Sequence, residues 1–105
     1  MTKAMTPEFA EIIADYTETK ESLSGGLLLM KCGDFHEAFY DDARAIAAIL
    51  GHRITELDGV PNISIPYPRV WIEVEKLVRA NESVHLCEHK SISILTVENV
   101  TERNE

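Results

Sequence analysis

The stretch "LLLMKCGDFHEAF", residues 27–39, restricts the fold more than any other part of the chain. "LLLMKC" is a short, mostly apolar run, of the length and character of a buried strand. Gly33-Asp34 is a two-residue turn of Gly-X type, which suits a tight hairpin. Phe35 to Phe39 then returns antiparallel. Its period of two puts Phe35, Glu37 and Phe39 on one face and His36 and Ala38 on the other. A chain built around such a hairpin needs further strands or helices to cover it.

The flanking segments supply them. Thr6 and Pro7 read as N-cap and first residue of a helix, with Glu8 placed well for the helix dipole. Phe9, Ile12, Ile13 and Tyr16 make one apolar stripe, and the helix should fade near Lys20, before the Ser24-Gly25-Gly26 linker. After the hairpin the period changes. Ala43, Ile46, Ala47 and Leu50 mark a second helix, with Tyr40 or Asp41 as its N-cap and Gly51 as its stop. "HRITEL" (52–57) alternates as a strand does, "DGVPN" (58–62) reads as a loop, and "ISI" (63–65) as a short strand. Pro66-Tyr67-Pro68 leads into a helix with Val70, Trp71, Val74, Leu77 and Val78 on one face, which Asn81 can close. "SVHLCEH" (83–89) and "SISILTVENV" (91–100) are two more strands. The order is helix, hairpin, helix, strand, strand, helix, strand, strand. The economical packing is an α+β domain with a mixed β-sheet and flanking helices. At 105 residues one domain is expected, 1–105, with 1–5 and 99–105 as frayed tails.

Charge narrows the function. Formal net charge is −8, from 10 Lys and Arg against 18 Asp and Glu. That argues against strong non-specific nucleic-acid binding, which depends on cations releasing phosphate counterions. No apolar run approaches the roughly 18–20 residues of a membrane span, and the N-terminus lacks signal-peptide order. A cytoplasmic protein without a membrane partner is expected. Cys32 and Cys87 are not in a Cys-x-x-Cys pair, so reduced thiols are the default.

Catalytic signals are weak. Asp34, Glu37, Asp41 and Asp42 form an acidic cluster of the kind a Mg²⁺-dependent nuclease uses. Asp34 also suits the turn, and Asp41 and Asp42 suit a first helical turn; only Glu37 lacks a structural role. His85, Cys87 and His89 share a face of one strand, but zinc wants a tighter cluster and usually a fourth ligand. The plainer reading is a core cysteine between two polar edge residues. His36 and His52 stand alone. No hydrolase triad order, Walker loop or dinucleotide fingerprint is present. The expectation is a protein that is not an enzyme, with no cofactor and no metal.

"LLLMKCGDFHEAFYDDARAIAAIL" resembles the N-terminal mismatch-recognition domain (domain I) of the MutS family of DNA mismatch-repair proteins. That family's signature is an apolar strand, Met-Gly-Asp-Phe-Tyr-Glu, another aromatic, then Asp-Ala opening a helix. "IPYPRVWIEVEKLV" (65–78) is similar to its Ile-Pro-Tyr-His-Ala-Val and a helix ending Lys-Leu-Val. "NESVHLCEH" (81–89) is similar to Gly-Glu-Ser-Val-Ala-Ile-Cys-Glu-Gln. The three blocks fall in the family's order and span about residues 6–98. Cys32 stands where the family has Met and His36 where it has Tyr. The segment Glu56 to Ile63 is shorter than the family's Gly-rich, partly basic loop and carries Glu56 and Asp58.

The resemblance implies a mixed sheet and a DNA-binding pair. Phe35 would enter the minor groove and stack on a mispaired base, and Glu37 would hydrogen-bond to that base. The implied function is a module that reads mispaired or distorted duplex DNA, binding weakly alone. The alternative is an acidic protein-interaction module of the same fold that has lost DNA binding, with repair or mobile-element proteins as partners. A third, plainer reading packs both Phe35 and Phe39 in the core. The family's ATPase, lever and clamp regions have no counterpart in these 105 residues, so a stand-alone domain or a piece of a longer protein is expected.

Overall fold

A computed structural model of the chain describes residues 6–90 and 94–97. The elements run α1 (Pro7–Glu21), β1 (Leu27–Cys32), β2 (Phe35–Phe39), α2 (Tyr40–Leu50), β3 (Thr55–Leu57), β4 (Val60–Pro66), a 3-10 turn (Tyr67–Arg69), α3 (Val70–Arg79), β5 (Val84–Glu88) and β6 (Ile94–Val97). This is the order read from the sequence. The six strands form one sheet, ordered β3-β4-β2-β1-β5-β6. Only β1 and β5 pair parallel, and every other neighbour is antiparallel. The fold is α+β with a mixed sheet. The expected tails, 1–5 and 99–105, lie outside the described residues, as do 91–93 and Glu98.

Local chemistry explains the element ends. Thr6 caps α1 with its hydroxyl, which accepts from the Phe9 N–H at 3.1 Å. Gly51 ends α2 in the left-handed region at φ +73°, where glycine has no steric penalty. The start of α2 is one residue earlier than expected. Phe39 is the cap and α2 begins at Tyr40, because β2 passes into α2 with no linking residue. Tyr40 takes φ +59°, a left-handed conformation that costs a bulky side chain roughly 1–3 kcal/mol.

The segment 52–66 departs from the sequence reading. β3 is confined to Thr55–Leu57, and the loop expected over 58–62 is only the turn Asp58-Gly59. Both turn residues have positive φ, +52° and +80°, as a type I′ hairpin requires. Val60, Pro61 and Asn62 therefore belong to β4. Pro61 is tolerated because its backbone faces the β2 side beyond Phe39↔Asn62, the last pair there, so no ladder hydrogen bond is lost.

α2 and α3 pack on each other and over β4, β2 and β5, whereas α1 lies against β1 and β2. The core between them contains Leu28, Leu29, Met30, Phe39, Ile46, Ile65, Val74 and Leu77. Trp71 is a correction. It was expected on the buried face of its helix, but it is 54% exposed, and Glu73 is the residue buried beside Val70 and Val74. No helix among the described residues is long and apolar enough to cross a membrane.

Candidate nucleic-acid interface

The hairpin turn presents Phe35 first. It pairs with Cys32 on one side and Pro66 on the other, and its ring is 43% exposed. Phe39, four residues on and on the same strand face, is 1% exposed. Two rings of α1 account for the difference. Phe9 and Tyr16 meet Phe39 edge-to-face with centroids 5.5 and 5.0 Å away, and neither reaches Phe35. The reading that buries both phenylalanines is therefore half wrong.

Glu37 lies between them, half-buried, opposite Ser64 of β4. Its Oε1 accepts from the Ser64 hydroxyl at 2.6 Å and the Asn62 amide at 3.0 Å. Asn62 Oδ1 accepts in turn from the Thr55 hydroxyl at 2.6 Å. The result is a polar ladder across β2, β4 and β3 that holds one carboxylate oxygen. Among the described residues no donor reaches Oε2. Burial pushes the Glu37 carboxyl above its usual range, and the two hydrogen bonds oppose that shift without cancelling it. Glu37 thus has both a fixed orientation and a raised affinity for a proton.

The other acids do not join it. Asp34 is exposed in the turn, and its carbonyl accepts from the Tyr67 N–H. Asp41 is exposed and paired with Arg44. Asp42 is buried, which the helix-start reading missed. Its Oδ2 accepts from the Leu28 N–H at 2.9 Å, and Lys20 Nζ lies 2.8 Å from it. The Tyr16 hydroxyl sits 3.1 Å from that carboxylate and 2.5 Å from the Leu28 carbonyl. Asp42 therefore ties α1, β1 and α2 together. No cluster of metal-ligating side chains occurs among the described residues.

His85 and His89 also have structural partners. His85 bonds Gly25 O and Thr96 Oγ1, each at 2.8 Å, and a Cβ on Gly26 would come 2.7 Å from its Nε2. His89 Nδ1 lies 2.8 Å from Asp15 Oδ2. The sequence places them as polar edge residues, but β5, which carries His85 and ends just before His89, is an interior strand. Cys32 and Cys87 are both free, with thiols pushed up by burial to about 12 and about 11. Such thiols are unreactive at neutral pH.

His36 is on the opposite face from Phe35, buried, and stacked on Tyr67 at 5.8 Å. Among the described residues its Nδ1 has no hydrogen-bond partner. Burial, and then the nearby Lys31 charge, lower its pKa, which favours the neutral ring. A change at this position leaves the Phe35 and Glu37 face untouched.

Residues 10–104 match the family model described as MutS domain I. The chain belongs to the MutS domain I family. A protein named DNA mismatch repair protein MutS from Thermotoga neapolitana is 33% identical over 84 residues, covering 80% of this chain and 10% of the relative. Proteins of the same name from Treponema denticola and Fervidobacterium nodosum are 32% and 35% identical over 88 and 77 residues. They cover 84% and 73% of this chain, and 9% of each relative. The chain spans about a tenth of the length of the curated relatives it matches.

Three features of the molecule escaped the sequence reading. Asn62, Ser64 and Pro66 alternate with Ile63 and Ile65, and that period could have placed them beside Glu37. Glu73 falls three residues after Val70 and one before Val74, on the apolar stripe of α3. The exposure of Trp71 had no local signal.

Proposed function

We propose that this domain I reads mispaired or distorted duplex DNA, with Phe35 as a wedge and Glu37 as the discriminating hydrogen-bonding group. The observation that carries the reading is the exposed Phe35 ring beside a Glu37 whose Oε2 meets no donor among the described residues. A planar ring enters a base step most readily where pairing is already broken, because less stacking is lost. A carboxylate at the DNA surface is repelled by phosphate, so it raises specificity only where a base donor meets it. A protonated Glu37 could instead donate to a base acceptor, and its raised proton affinity favours that state. The domain binds and does not catalyse. Given the −8 charge, its affinity without further domains is low.

The test is binding to matched and mismatched duplexes across a salt series. The unaltered domain is expected to favour the mismatch at low salt, and Phe35→Ala to remove that preference while leaving the fold intact. Absence of binding to mismatched duplex even at high protein concentration and low salt would rule the reading out.

A second reading is an acidic interaction module that docks a repair or mobile-element protein. Its support is the exposed Trp71 and Ile72 of α3, together with the charge. Partners captured equally well by the Phe35→Ala variant, and lost with Trp71→Ser, would favour it.

A further inference from the structure

Most cations of this acidic chain are already matched. Among the described residues, Lys20 pairs with Asp42, Arg44 with Asp41, Arg69 and Lys76 with Glu73, Arg79 with Glu75, and Lys90 with Glu11. Lys31 sits 5.1 Å over the Tyr67 ring. Arg53 alone has no such partner among them, and it lines a cavity of about 300 Å³ at the sheet edge.

The strand register explains the cavity. Thr55 pairs with Asn62, so a longer β3 would bring Arg53 opposite Ser64. β3 stops at Thr55 instead. The Tyr67 N–H bonds the Asp34 carbonyl, so Ile65 and Ile63 direct their backbone groups towards β2, and those of Ser64 turn to the open edge. The cavity therefore combines an exposed guanidinium with a backbone N–H that has no acceptor among the described residues. The Ser64 and Thr55 hydroxyls are committed to Glu37 and Asn62 and add no donor.

Glu73 lines the same cavity but does not set its sign. It is 1% exposed, with Arg69 and His52 on its Oε2 at 3.1 and 3.2 Å and Lys76 Nζ 3.5 Å from Oε1. Its single charge is matched by these neighbours. Arg53 is the surplus, and the unused N–H groups of Arg69 add to it.

We propose that this edge cavity is a phosphate site, in which Arg53 and the Ser64 N–H hold a backbone phosphate of the duplex that Phe35 and Glu37 read. The proposal rests on the mismatch-reading role of that pair. Ser64 is the cross-strand neighbour of Glu37, about 5 Å away across the sheet. The minor groove is only about 6 Å wide, so a side chain at a base edge has flanking phosphates within a strand or two. A guanidinium fork suits a phosphate's paired oxygens. The β3–β4 hairpin carries the acids Glu56 and Asp58 and adds no cation to this edge, so a phosphate there depends on Arg53.

The experiment measures the salt dependence of binding to matched and mismatched duplexes for the unaltered domain, Arg53→Gln and, as a charge-matched control, Arg79→Gln. Arg53→Gln is expected to weaken both duplexes by the same factor and to reduce the log–log salt slope by about 0.9, the value for one phosphate. Arg79→Gln is expected to leave the slope unchanged. A slope unaltered by Arg53→Gln overturns the site, even if Phe35→Ala abolishes mismatch preference and so upholds the reading pair. If no duplex binds at all, the mismatch reading fails, and an NMR titration with inorganic phosphate against matched chloride decides the site. Saturable shifts at the Arg53, Thr55 and Ser64 amides, lost in Arg53→Gln, keep a site for free phosphate. No shift overturns it.

Discussion

The two ends of β2 carry the same chemistry and meet opposite fates. At one end Phe39 lies under the rings of Phe9 and Tyr16, and the adjoining Asp42 is enclosed by Lys20 and the Leu28 N–H. At the other, Phe35 and Glu37 share the strand face, and no helix among the described residues covers the Phe35 ring. An aromatic ring and a nearby acid are a structural joint at one end, and an exposed ring beside a half-buried acid at the other. What separates them is the reach of α1. Covering turns a carboxylate into a tie between elements, and leaving it open leaves a group able to meet a ligand.

Mutations should separate the two ends by size of effect. Phe39→Ala is expected to cost about 3–5 kcal/mol of stability in denaturant titration, the range for an enclosed ring. Phe35→Ala should cost no more than about 1 kcal/mol. Equal losses would erase the distinction. Asp42→Ala is expected to cost about 3 kcal/mol, because it leaves the Leu28 N–H and the Lys20 ammonium without their acceptor. Truncating Glu73 to Ala, by contrast, strands cations that water already reaches, so about 1–2 kcal/mol is expected.

Acid titration provides a finer contrast between two carboxylates. Glu37 has a raised pKa, so its contribution to stability is present below the unfolded carboxylate pKa and is lost as pH rises through the folded value. Glu73 is the reverse. Burial alone would raise it, but Arg69, His52 and Lys76 together hold it low, so its contribution is present above the unfolded pKa and is lost as pH falls through the folded value. Stability measured against pH should therefore lose a falling component in Glu37→Gln and a rising one in Glu73→Gln. Two changes of the same sign would contradict the assigned environments. Glu37→Gln should also bind matched and mismatched duplex more tightly at neutral pH while discriminating less, since it removes phosphate repulsion along with the selective carboxylate. The smallest effect belongs to Trp71→Ser, expected within about 0.5 kcal/mol of the unaltered domain.

Much of this architecture was legible because its signals are local. Thr6-Pro7 marks a helix start whatever follows, and Gly51 marks a stop. Gly33-Asp34 between an apolar and an alternating run marks a hairpin, and the motif blocks pointed to the family. Where signals competed, the reading slipped. Pro61 argued against a strand, and only the end of β2 opposite Asn62 shows why a proline is harmless there. Trp71 reads as core because its helical phase is close to the buried stripe, yet no element among the described residues covers it.

The amino-acid sequence by itself determined the order of elements, the turn chemistry, the family, and the common strand face of Phe35, Glu37 and Phe39. Periodicity and backbone sterics act over a few residues, so the sequence displays them directly. The tertiary structure decided which phenylalanine is covered, which acid is a joint, and which arginine has no acidic partner among the described residues. Those outcomes depend on where α1 crosses the sheet, where β3 stops, and which charges fold together, and these are distances between residues far apart in the chain.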